Sequence, residues 1–122
     1  MATVKPEQKD AGPSASDLTA SQWCACRRSD AGIALATTTA EVAGVIEYPG
    51  FKAGTTTTYH TLGRSKVKVS TPVKAGDRAK IGVTPGVATK ALPGDEYFGV
   101  FAENGPAGAI VPIDLDRGLV HA

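Results

Sequence analysis

Histidine, cysteine and aromatic residues are scarce in this sequence, and each shortage removes a class of chemistry. The only histidines are His60 and the penultimate His121. A hydrolase triad would have to use His60, which sits among threonines with no Gly-x-Ser-x-Gly elbow anywhere in the chain. His60 is therefore read as a surface histidine, no catalytic residue is assigned, and the chain is expected not to be an enzyme. Cys24 and Cys26 are the only cysteines, one residue apart. A disulfide at that spacing would be strained, so they are expected to be reduced thiols packed as small hydrophobes. With one distant histidine they lack the paired spacing of a zinc site, and Glu103, Asp114 and Asp116 are too scattered for a calcium loop. No metal and no cofactor are expected. A small metal-dependent enzyme built on Cys24, Cys26 and His60 is the weakest of three function classes.

Charge of either sign in excess is also missing. Lys and Arg number 13 against 12 Asp and Glu, so no global field draws the chain to nucleic acid or to an anionic membrane. No apolar run approaches the roughly 20 residues of a membrane helix, and the first residues lack the apolar middle of a signal peptide. A soluble protein made in the cytosol is expected. The glycines, including Gly94, Gly99, Gly105 and Gly108, lack the order and following helix of a phosphate cradle.

What remains is β structure. Ser65–Ser70 alternates Lys66, Lys68 and Ser70 with Val67 and Val69, the period-2 pattern of a strand with one polar and one apolar face. Thr71-Pro72 ends it and Lys74-Ala75-Gly76-Asp77 turns the chain. Two related passages flank this segment. Ala43-Gly44-Val45-Ile46 is followed by Ala53-Gly54, and Phe98-Gly99-Val100-Phe101 by Ala107-Gly108. Further strands are expected over Gln22–Arg28, Ile33–Ala36, Val42–Glu47, Thr55–Thr61, Arg78–Val83, Val87–Ala91, Phe98–Ala102 and Ala109–Ile113, with a hairpin turn at Ser29-Asp30-Ala31-Gly32 and a turn at Leu62-Gly63. No stretch shows a helical period. The fold class is thus all-β, a small β-sandwich or barrel-like domain of about eight or nine short strands with an extended N-terminal arm.

Residues 1–16 are assigned to that arm and 17–122 to a single β domain, because Met1–Ser16 carries almost no sizeable apolar group beyond Met1 and Val4. Arg27, Arg28, Arg64, Lys66, Lys68 and Lys74 form either a solvated strand face or a rim that meets an acidic protein surface. Lys66 and Lys68 are also suited to guarding an exposed strand against stray pairing.

The order of elements from Trp23 to Asp116 resembles the small bacteriophage capsid decoration, or cement, proteins. The resemblance is carried by the Ser29–Gly32 hairpin, Glu41-Val42-Ala43-Gly44-Val45-Ile46, Lys52-Ala53-Gly54, Ser65–Val69, Pro72-Val73-Lys74-Ala75-Gly76-Asp77, Tyr97-Phe98-Gly99-Val100, Ala107-Gly108 and Ile110-Val111-Pro112-Ile113. It implies a non-enzymatic virion protein on the outer surface of an icosahedral head. Such a protein binds where major capsid protein subunits meet and stabilises the shell. The resemblance also implies self-association, as a homotrimer first and a dimer second. Val4, Lys5, Pro6, Leu18, Arg27 and Arg28 are the candidate capsid-binding residues. The alternative is a carbohydrate- or protein-binding β module displayed on a virion or cell surface, with Trp23, Tyr48, Phe51, Tyr59 and Tyr97 as stacking platforms.

Overall fold

The alternation around Val67 does form a strand, but a longer one than the pattern suggests. In the computed structural model, which describes residues 8–120, Thr56–Lys68 is one continuous strand, β5. The turn expected at Leu62-Gly63 does not reverse the chain. Gly63 takes a φ of 85° inside the strand, a conformation open to glycine at no steric cost, and the two expected strands merge across it. β5 consequently serves two groups of neighbours. Its first half pairs antiparallel with β1 (Gln8–Pro13) and β4 (Gly44–Tyr48), and its second half with β9 (Ile110–Leu119).

The remaining strands are β2 (Ala25–Ser29), β3 (Gly32–Leu35), β6 (Arg78–Ile81), β7 (Ala88–Lys90) and β8 (Glu96–Phe101). Together the nine form one sheet in the order β3-β2-β4-β5-β9-β8-β6-β7, with β1 added on β5. The fold is all-β, as the turn-rich sequence predicts; among the described residues the one helical feature is a 3₁₀ turn at Thr39–Glu41. No helix among the described residues is long and apolar enough to cross a membrane.

The order reads the same from both ends, and the two halves repeat one plan. In the first, hairpin β2–β3 passes to β4, and β4 pairs with the front of β5. In the second, hairpin β6–β7 passes to β8, and β8 pairs with β9. Each half also has a leading strand laid antiparallel on its last one: β1 on the front of β5, and the back of β5 on β9. The residue that follows each leading strand makes one parallel bridge to the second hairpin strand, Ser14 to Ile33 and Val69 to Ala88. These two bridges close each five-strand group toward a ring. Gly44 and Gly99 are matching positions in this repeat. A Cβ on Gly44 would run into the His60 carbonyl oxygen, and one on Gly99 would come within 2.5 Å of Ile113 Cδ1. The two related passages seen in the sequence are thus the β4–β5 and β8–β9 hairpins of two five-strand units that share β5.

Two apolar clusters fill the units. Leu18, Cys26, Ile33, Ile46 and Tyr59 form the smaller, all within the first unit. The larger joins Ala25, Ala36, Val42 and Val45 of the first unit to Val67, Phe98, Phe101, Val111, Ile113 and Leu115 of the second. Successive residues of β2 and β4 point to opposite faces, so Cys26 and Ile46 enter one cluster while Ala25 and Val45 enter the other. This alternation packs the two units into one body.

The N-terminal expectation needs correcting. Gln8–Pro13 is strand β1, and Ser14 is buried, its Oγ donating to the Thr55 carbonyl at 2.7 Å. The body therefore starts before residue 17; the rest of the expected arm, 1–7, lies outside the described residues. Leu18 is likewise not an exposed anchor. It is 3% exposed, in the smaller cluster, with its N–H donating to the Gly50 carbonyl at 2.9 Å. Leu18→Ala is expected to lower the unfolding free energy by about 2–4 kcal/mol through transfer and cavity terms. Denaturant melts of the purified protein check this; an unchanged midpoint would show that Leu18 is not a core residue.

Candidate partner-binding surfaces

The six residues singled out for partner binding do not converge on one surface. Val4, Lys5 and Pro6 lie outside the described residues, and Leu18 is core. Arg28 reaches back to β1, its guanidinium 3.0 Å from the Asp10 carboxylate. Arg27 turns toward Glu41, at 3.9 Å. Both arginines therefore serve contacts within the first unit, with Asp10 also accepting from the Tyr59 hydroxyl at 3.3 Å. Burial and the neighbouring Asp10 carboxylate push the Tyr59 phenol above its usual range.

The aromatic residues separate just as clearly. Tyr59 is 1% exposed and belongs to the core. Tyr97 lies under the Arg78 guanidinium, 5.0 Å from the ring centre. Tyr48 at the end of β4 and Phe51 in the loop that follows are both more than half exposed. Trp23 is half-buried against the larger cluster with Lys66 Nζ 5.5 Å from its ring centre. Cys24 and Cys26 are free and buried, as expected from their spacing. Desolvation raises both thiols, Cys26 to about 12.

His60 is the largest departure from the sequence reading, because it is 4% exposed rather than on the surface. β5 is covered on both faces at this point, so a residue facing away from Tyr59 is also enclosed. The imidazole lies between two partners the sequence did not connect. Its Nδ1 is 2.8 Å from Ser65 Oγ, and its Nε2 is 2.6 Å from Glu47 Oε2. The other Glu47 oxygen meets Lys9 Nζ at 3.0 Å. Three strands, β1, β4 and β5, are thereby tied through one polar cluster. A serine, a histidine and a glutamate in series can pass a proton between them, but Ser65 is itself only 4% exposed. A small cavity of about 200 Å³ adjoins the cluster, lined by Trp23, Glu47, His60, Arg64, Ser65 and Lys66.

The most regular exposed feature is the outward face of the second half of β5. Arg64, Lys66 and Lys68 are exposed there while Ser65 and Val67 are buried. Arg64 is engaged by Asp114 of β9, Nε to Oδ1 at 2.6 Å, an ion pair that raises the guanidinium's already high pKa. Across from Lys66 and Lys68 stand Pro112 and Ile110. Of the basic patch read from the sequence, these three residues form one row; Arg27 and Arg28 are on β2 and Lys74 is in the turn that follows. Among the described residues, no group of three or more His, Cys, Asp or Glu is placed to hold a metal ion.

No protein-family model matches the sequence, and no curated protein matches it. Among solved structures the chain is similar to the N base of the head fiber gp8.5 of bacteriophage phi29. The match has a TM-score of 0.56 and 19% identity, and covers 96% of this chain and 100% of that one. The likeness is one of fold, over nearly all of this chain and the whole of that one.

Removing the carboxylate at the centre of the polar cluster should be costly, because it takes a charged partner from both the buried imidazole and Lys9. Glu47→Ala is expected to lose about 2 kcal/mol of unfolding free energy at neutral pH. Chemical denaturation measures it, and a variant as stable as the parent would show that the cluster contributes nothing to holding β1 and β4 on β5.

Proposed function

We propose that this chain is a structural protein of a bacteriophage head, a decoration protein that binds the outer surface of the shell at junctions between major capsid protein subunits. The observation that carries the reading is the fold likeness, over nearly the whole chain, to the N base of a phage head fiber. The sequence motifs from Trp23 to Asp116, in their order, support the same class of protein by a separate route. On this reading the chain works without catalysis. It stabilises the shell by tying neighbouring subunits, and many modest contacts repeated over a symmetric surface gain strength through avidity. A homotrimer at local three-fold positions is the first choice of assembly, and a dimer the second.

The exposed pair Tyr48 and Phe51 favours one alternative, a surface module that stacks on sugars or on a protein. Both readings are separated by one preparation. Heads made with and without the protein are compared for survival of heating and osmotic shock. The proposal expects the protein in purified virions and markedly lower survival without it. Equal survival, with the protein absent from virions, would reject it; specific glycan binding lost on Tyr48→Ala would then support the module.

A further inference from the structure

We propose that the row Arg64, Lys66 and Lys68, with Trp23 beside it, is the face that docks on an acidic protein surface of the shell, an inference that rests on the capsid-binding reading above. Residues on one face of a strand repeat at about 6.5–7 Å, so the three cations form a short, evenly spaced line. Strand lysines usually have one of two ordinary reasons. Guarding an edge is the first, but β5 lies inside the strand order, between β4 and β9. On its other side the second half is met at Lys68, whose N–H donates to the Trp23 carbonyl at 2.9 Å. Pairing with carboxylates across the strand is the second. Only Arg64 has such a partner. Among the described residues Lys66 and Lys68 form no salt bridge, and their cross-strand neighbours are Pro112 and the half-exposed Ile110. Two unneutralised cations beside apolar groups suit a partner that brings the carboxylates itself.

Trp23 supplies an independent observation. With a φ of 64° it is the one non-glycine residue at positive φ among the described residues, a conformation that side chains of this size rarely adopt. Two hydrogen bonds hold it there: its N–H to the Ile46 carbonyl at 2.7 Å, and its carbonyl from Lys68. The strain fixes a partly exposed indole against the cationic row, with the small cavity between Trp23, Arg64 and Lys66 at one end. A rigid tryptophan flanked by arginine and lysine, next to a recess, has the composition of an interface anchor. A nucleic-acid partner fits less well. Three cations in a chain of net charge +1 supply few phosphate contacts.

The test is co-sedimentation of the full chain with undecorated heads, at low and high salt, for the parent, Lys66→Glu, Lys68→Glu and Lys74→Glu. The last makes the same charge change outside the row, and thermal melts establish that each variant is folded. Reversal within the row is expected to weaken binding roughly tenfold and to flatten its salt dependence, while Lys74→Glu binds as the parent does. If the parent binds and both row variants match it, the docking face is overturned and the capsid reading stands. If the parent does not bind, both fall. If the parent binds naked DNA as tightly as heads, and the row variants lose that binding, the row belongs to a nucleic-acid site and the acidic-protein proposal is overturned.

Discussion

One strand has to satisfy two sets of neighbours, and the architecture follows from how β5 does so. Its first half is the last strand of one five-strand unit, and its second half is the leading strand of the next. Inside a strand, a positive φ is tolerated only where no side chain opposes it, and Gly63 supplies that position at the junction. On the β9 side the ladder runs without a shift from Gly63 to Lys68, while β1 and β4 each meet the first half with one register shift. The units are therefore coupled through the chain itself and through the larger apolar cluster, in which Ala25 and Val45 of the first meet Val67 and Ile113 of the second. The shared strand and the shared cluster pack the two units into one body.

That sharing also explains what was legible in the sequence and what was not. The strands that bury one face and show the other were readable: Val67 and Val69 alternate with lysines, and Ile33, Val45, Phe98 and Val111 mark core positions. Period-2 reasoning failed where that premise fails. Tyr59 and His60 are adjacent, point to opposite faces and are both buried, so a pattern that assigns one face to water placed His60 outside. Ser65 and Glu47, its partners, look unremarkable in the sequence because only the register of β4 on β5 and the bend at Gly63 bring them to the ring.

Strand β1 was invisible for a different reason. Nearly all of Gln8–Pro13 is exposed, so burial gives it no signature. It is held by the backbone ladder to β5, by Asp10 bonded to Arg28 and Tyr59, and by Lys9 at Glu47. Polar, glycine- and proline-containing sequence reads as an arm when those partners are unknown. Leu18 shows the converse. An isolated leucine after a polar stretch suggested an exposed anchor, but the small first-unit cluster needed one more aliphatic side chain, and the loop before β2 delivers it. For the partner-binding face the residue types were legible early, whereas their division was not. Arg27 and Arg28 are engaged by contacts within the unit, whereas Lys66 and Lys68 of the β5 row stand exposed without a salt bridge among the described residues.

The account turns on where this body sits, and imaging heads saturated with the purified protein by electron cryo-microscopy tests that most directly. It predicts ordered density on the outer surface at junctions between shell subunits, fitted by the two-unit body, with the β5 row turned to the shell. Saturated heads with a bare outer surface, or with density confined to the interior, would contradict it.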